Sequence, residues 1–133
     1  MPLPSTTRAV VTGAGSGLGR AFCLELARRG AQVIASDVNL TEARATAEQM
    51  GQMGATAHAV QCDVSKLDQV EALAVEAEKR LGGVDLMINN AGVAVSGNIG
   101  DVPPADWQWI VGVNLWGVVH GCHVFVPRFR KQG

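Results

Sequence analysis

A short apolar strand that runs into four glycines and emerges as a helix constrains this chain more than any other feature. The stretch is Val10-Val11-Thr12-Gly13-Ala14-Gly15-Ser16-Gly17-Leu18-Gly19. Glycine tolerates a positive φ and has no Cβ to hold a ligand away, so the pattern suits a backbone turning tightly beneath a phosphate. The helix that follows directs its free N–H groups and positive dipole end at the same place. Asp37 closes the next predicted strand, Gln32 to Asp37, where a carboxylate can accept hydrogen bonds from a ribose diol. Together these residues read as a dinucleotide site.

The remaining periodicity predicts alternating strands and helices. Arg8 to Thr12 reads as a first strand, Gly17 to Arg29 as a helix closed by Gly30, and Gln32 to Asp37 as a strand apolar on both faces. Thr41 to Met53 follows as a helix, and Thr56 to Asp63 as a third strand. Ser65, with Asp68 in a box-like position, is the expected cap of a helix whose stripe is Val70, Leu73, Ala74, Ala77 and Leu81. Val84 to Asn89 reads as a fourth strand, and a long helical pattern runs from Pro104 to about Arg130. The expected fold class is therefore α/β: a Rossmann-like parallel sheet, strand order 3-2-1-4, with helices on both faces. Residues 1–7 read as a flexible leader and 8–133 as one dinucleotide-binding domain.

Composition limits the function classes. A chain of 133 residues with net charge −1 and no long basic run argues against nucleic acid or an anionic membrane surface as partner. No run reaches the roughly 18 uninterrupted apolar residues of a membrane span, and the N-terminus lacks the pattern of a secretory signal. Cys23, Cys62 and Cys122 are scattered and odd in number, which predicts reduced thiols and a cytoplasmic protein. His120, Cys122 and His123 lie close together on a helix, but a further ligand at metal spacing is not evident, and a structural role is expected with no metal. Trp107, Trp109 and Trp116 are expected to pack rather than to form a stacking platform.

The glycine spacing is not the common G-x-G-x-x-G, because a reading from Gly13, Gly15 or Gly17 ends on Leu18, Arg20 or Phe22; the pattern is Thr12-Gly13-x-x-x-Gly17-x-Gly19. Nor does a Lys-Ser or Lys-Thr pair follow it, as a P-loop requires. It is joined, in order, by Asp37, Asp63-Val64, Asn89-Asn90-Ala91-Gly92 and Asn114-Leu115-Trp116-Gly117. This ordered set resembles the short-chain dehydrogenase/reductase family, and the resemblance runs from Arg8 to Gly133. It implies that Gly13, Ser16, Gly17, Leu18 and Gly19 line the pyrophosphate and adenosine ribose, with Thr12 also among the cofactor-binding residues. Asp37 and Val38 would lie at the ribose, Asp63 and Val64 would flank the adenine, and Asn90, Ala91 and Gly92 would border the nicotinamide-side ribose and tie the fourth strand to Thr12. Asn114 is similar to the family's catalytic asparagine, whose backbone carbonyl holds a water in a proton relay. Taken singly, Asp63 could cap a turn and Asn114 could be a polar residue on a solvated helix face.

Asp37 accepts from the 2′- and 3′-hydroxyls of NAD and repels a 2′-phosphate, and Ser16, Val38 and Asn39 offer no positive charge, so NAD is expected over NADP. The family's hydride transfer also uses a serine and a Tyr-x-x-x-Lys, and its members continue for about as long again, so the resemblance implies that domain 8–133 is incomplete, truncated before the fifth strand. This sequence contains no tyrosine. A phenol near pKa 10 needs a neighbouring cation before it can exchange protons at neutral pH, and Lys131 lies in the wrong element to help one. The expectation is therefore the NAD-binding half of an alcohol–carbonyl oxidoreductase. That half would be inactive alone, with a small alcohol or carbonyl substrate and a homo-oligomer through the helix 104–130 belonging to the parent. A complete, non-catalytic nucleotide-binding or interaction module is the alternative. A methyltransferase of similar architecture is a more distant rival, because Asn89 to Gly92 and Asn114 do not suit it.

Overall fold

The computed structural model describes residues 2–133. Its elements are β1 (Arg8–Val11), α1 (Gly17–Arg28), β2 (Gln32–Asp37), α2 (Leu40–Gln52), β3 (Ala57–Gln61), α3 (Leu67–Leu81), β4 (Leu86–Ile88) and a long α4 (Pro104–Gln132). The strands form one four-stranded sheet in the order β3-β2-β1-β4, with every neighbouring pair parallel. This is the α/β architecture and strand order expected from the sequence.

Alternation along the central strands builds two cores. Val10 and Ile34 point to one face and pack with Val70, Leu73, Val124 and Phe125 from α3 and α4. Ala9, Val11, Val33 and Ala35 point to the other and pack with Cys23, Leu26 and Met50 from α1 and α2. A period of two along each strand sends successive side chains to opposite faces, so the inner residues of β1 and β2, Ala9 to Val11 and Val33 to Ala35, must be apolar, as they are. β4 lies at the edge of the sheet, and β3 at the other.

Element ends depart from expectation for local reasons. Ser65 does not cap α3: its backbone N–H and its hydroxyl both donate to Asp63 Oδ1, at 3.0 and 2.6 Å. That turn draws the chain out of β3 at Gln61 rather than Asp63, and the helix starts after Lys66, which makes no side-chain cap bond. α2 begins one residue early, at Leu40, because Asn39 Oδ1 accepts from the Glu42 N–H at 3.2 Å and so acts as its cap. β4 is shorter than Val84 to Asn89, since Asn89 and Asn90 leave the ladder for the loop around Thr12. Thr7, in the expected leader, is buried, and its carbonyl accepts from the Gln32 N–H.

The long helix holds an unforeseen π-helical turn, Gly112–Trp116, in which the Gly117 N–H reaches back to the Gly112 carbonyl. Single π turns of this kind concentrate at functional sites. α4 is long and apolar enough to span a bilayer, with a mean hydropathy of 1.4 in its most apolar window. Here it lies against the sheet through Val113, Val124 and Phe125, while Trp107, Leu115 and Trp116 stay exposed. At the opposite edge of the strands, Arg8 pairs with Asp85 through Nε and Nη2 at 2.9 and 2.8 Å, and the Gln132 amide donates to the same carboxylate. These donors hold the Asp85 carboxyl down at about 2.

Candidate dinucleotide-binding cleft

The site begins where β1 ends. The Thr12 N–H donates to the Ile88 carbonyl at 3.1 Å, and its Oγ1 accepts from the backbone N–H groups of Asn90 and Ala91, both at 3.1 Å. The Asn90 side-chain amide returns two bonds, to the Thr12 carbonyl at 3.1 Å and the Gly13 carbonyl at 3.3 Å. One threonine and one asparagine thus lock the glycine loop to the segment after β4. Thr12 is buried in doing so and does not line the cleft, although the sequence placed it among the cofactor contacts. Its position is behind the loop, because every polar atom of its side chain is already engaged there.

The glycines differ in what they provide. A Cβ on Gly19 would overlap the Gly13 carbonyl and the Asn90 amide, so Gly19 permits close packing of the helix start on the loop. Gly17 has φ +53° and nothing within 4 Å of where a Cβ would point, so it forms an open floor. Ser16 caps α1 without a side-chain hydrogen bond. Its hydroxyl and the first-turn N–H groups therefore face the cleft free to meet an anion.

Asp37 stands at the lip of this floor. Its Oδ2 accepts from the Gly15 N–H at 2.8 Å and its Oδ1 from the Asn39 N–H at 2.9 Å. A carboxylate oxygen has two lone pairs, so each retains capacity for another donor. A second set of residues, not found from the sequence, fixes the loop from behind. Thr46, fully buried on α2, donates to the Ala14 carbonyl at 2.8 Å and accepts from Arg20 Nε at 2.9 Å. Arg20 also holds the Gly15 carbonyl and pairs with Glu42 at 3.0 Å. The loop carbonyls are thereby drawn inward. Arg20 directly follows the last glycine, and Glu42 and Thr46 share a helix face at i, i+4, but neither spacing is distinctive without the loop between them.

At the β3 end, Asp63 does make the turn contacts with Ser65 through Oδ1, and among the described residues no donor meets its Oδ2. The Val64 carbonyl accepts from His120 Nδ1 at 2.8 Å, which places the hydrogen on Nδ1. His120 is thus turned to the main chain; His123 and Cys122 are exposed, and among the described residues no group of three His, Cys, Asp or Glu is gathered to hold a metal. The Asn114 side chain pairs with the backbone of Val93, accepting from its N–H and donating to its carbonyl, both at 2.8 Å. It does not line the cleft. Asn114 joins the π turn of α4 to the loop after β4, and any direct chemistry at this residue falls to its main chain.

The cleft so enclosed has a volume of about 450 Å³. Gly13, Ser16, Gly17, Leu18, Gly19, Asp37, Val38, Asp63, Val64, Asn90, Ala91 and Gly92 all line it. Cys62, Val93, Trp109 and Val113 also line it and were not singled out for it from the sequence. Burial pushes the Cys62 thiol up to about 12, so it is a neutral wall group rather than a nucleophile. Anion-seeking N–H groups at the floor, a carboxylate at each of two strand ends and an apolar wall between them match the parts of an adenine dinucleotide.

Comparison with known proteins agrees with this geometry. The family model for short chain dehydrogenases matches residues 7–133. The chain is 34% identical over 125 residues to the 7alpha-hydroxysteroid dehydrogenase of Escherichia coli K12, covering 94% of this chain and 49% of that one. It is 38% identical to the probable oxidoreductase EphD of Mycobacterium tuberculosis H37Rv, covering 92% of this chain and 21% of that one. The crystal structure of a short chain dehydrogenase/reductase from Burkholderia phymatum in complex with NAD superposes with a TM-score of 0.93 at 41% identity, covering 96% of this chain and 45% of that one. The chain thus spans half or less of the length of these relatives. With the fold, the ordered motifs and a family match over nearly every residue in agreement, the chain belongs to the short-chain dehydrogenase family.

Proposed function

We propose that the chain is the NAD-binding portion of an oxidoreductase that interconverts an alcohol and a ketone or aldehyde by hydride transfer. The observation that carries this is the placement of Asp37, held by the Gly15 N–H at 2.8 Å beside the open floor at Gly17. The N–H groups of Ser16 to Gly19 would hold the pyrophosphate, Asp37 the adenosine ribose hydroxyls, Asp63 Oδ2 and the Val64 N–H the adenine edge, and Asn90 to Gly92 the nicotinamide-side ribose. NAD is favoured over NADP because no lysine or arginine lines the cleft, and Arg20 is turned to Gly15, Thr46 and Glu42. The relative from Burkholderia phymatum was crystallised with NAD, which supports the same choice.

When bound, the nicotinamide supplies the hydride acceptor or donor. The role of this chain is to fix the dinucleotide and, through the Asn114 main-chain carbonyl at the π turn, to hold a water for proton relay. The sequence has no tyrosine, so a phenolic acid–base must come from outside these residues. The test is NADH formation from NAD with a panel of secondary alcohols, run on the 133-residue chain and on the full-length gene product. Binding without turnover is expected for the chain, with turnover only for a longer product carrying the phenol. Turnover by the chain itself would place the acid–base elsewhere. The absence of tyrosine also favours a second reading, a non-catalytic nucleotide-binding module, which a turnover-negative full-length product would support. The same proposal includes a cytoplasmic location and a homo-oligomer joined through α4, where Leu115 is 57% exposed.

A further inference from the structure

Trp109 is half exposed, yet it lines the cleft beside Cys62, Asp63, Val64 and Val113. Trp107 and Trp116, on the same helix, do not line it. Helical phase separates Trp109 from Trp107. Trp109 lies one turn before Val113, on the same face, whereas Trp107 is two residues removed and points away. α4 is held across the β3–α3 connection by a series of close contacts that set where this face lies. A Cβ on Gly112 would sit 3.6 Å from Ser65 Cβ, and one on Gly117 would sit 2.6 Å from Val64 Cγ2. His120 adds its hydrogen bond to the Val64 carbonyl at 2.8 Å. Trp109, three residues before Gly112, is thereby brought to the cleft that Asp63 and Val64 also line.

We propose that Trp109 is the outer aromatic wall of the adenine end, packing its indole on the face of the base. This rests on the reading of Asp63 and Val64 as the adenine edge contacts. A purine presents polar edges and apolar π faces. Asp63 Oδ2 and the Val64 N–H can take an edge, but Cys62 and Val113 are too small to cover a face alone. An indole is flat and large enough, and base–aromatic stacking tolerates modest differences in angle. The arrangement also gives a half-exposed tryptophan a partner when the cleft fills.

Fluorescence titrations of the 133-residue chain, whose only indoles are Trp107, Trp109 and Trp116, with NAD, AMP and nicotinamide mononucleotide test this. With W107F and W116F removing the other indoles, NAD and AMP are expected to quench emission and the mononucleotide to leave it unchanged. In W109F the quench is expected to vanish while affinity stays within about threefold, because the phenyl ring still stacks. W109A is expected to weaken NAD and AMP on the order of tenfold and to leave the mononucleotide unaffected. Unchanged NAD and AMP affinity in W109A, or a quench that survives in W109F, would overturn the role of Trp109 while leaving the cofactor reading intact. Failure of the unsubstituted protein to bind either NAD or AMP would overturn both.

Discussion

Across the cleft, the glycine-loop corner and the α4 wall are built on different forces. At the corner, Thr12, Asp37, Thr46, Asn90 and Arg20 all bond directly to the main chain of the loop or of the segment beside it. The wall is held mainly by close packing, with Gly117 against Val64 and Val113 in the core, and by two side chains, Asn114 and His120, that reach the main chain. Hydrogen bonds are directional and fix a group to within a few tenths of an ångström, whereas apolar packing fixes a surface without aiming it. A floor proposed to present N–H groups to a phosphate calls for the first; a wall proposed to offer flat apolar area is served by the second. The outward face of α4 has neither, and its Trp107, Leu115 and Trp116 meet solvent.

The contrast breaks most visibly at Gly19. Gly19→Val would drive a side chain into the Gly13 carbonyl and the Asn90 amide. It is expected to cost about 1–3 kcal/mol of stability and to abolish saturable NAD binding, as read by denaturant unfolding and calorimetry. A variant that binds NAD normally would mean that the loop can reposition freely. Thr12→Ala comes next. It orphans the Asn90 and Ala91 N–H groups and is expected to destabilise by about 1–3 kcal/mol, with weaker NAD binding although the side chain touches no ligand. Full retention of both would show that the bonds to Thr12 Oγ1 are dispensable.

Smaller effects belong to the periphery. The Asp85 carboxyl sits at about 2 beside Arg8, below its ordinary 3.8, so the pair stabilises above pH 4 and that contribution is lost as pH falls through about 2. Both side chains are partly exposed, at 25% and 35%, and the solvent screens them. Asp85→Asn should therefore lower stability by less than about 1 kcal/mol at neutral pH, with the difference from the parent closing below pH 2. A difference that grows on acidification would reverse the sign of the argument. Leu115→Ser, on the open face of α4, is expected to change stability within about 0.5 kcal/mol while shifting sedimentation toward smaller species. Unchanged sedimentation would remove that face from any self-association.

How much of this could be read in the sequence follows the same division. The strands and the floor were legible because apolar runs and the Gly13–Gly17–Gly19 spacing are properties of neighbouring residues, and the sheet order because the ordered motifs resemble a known family. Asp37 was legible because it ends a strand. Arg20, Thr46 and Glu42 were not, since their meaning depends on α2 folding back onto the loop. Ser65 was misplaced as a cap because a serine hydroxyl can equally donate to a carboxylate two residues before it. The π turn at Gly112–Trp116 left no periodic trace in so short a span. Trp109 was assigned to packing because composition alone cannot say which face of a helix will border a cavity.

The central claim is that Asp37, held beside the Gly17 floor, makes this cleft a site for NAD. Calorimetric titration of the protein with NAD and with NADP, at equal ionic strength, tests it most directly. One saturable NAD site is expected, with NADP weaker by at least about tenfold, a difference of about 1.4 kcal/mol. Equal or tighter binding of NADP, or no saturable heat with NAD, would contradict it.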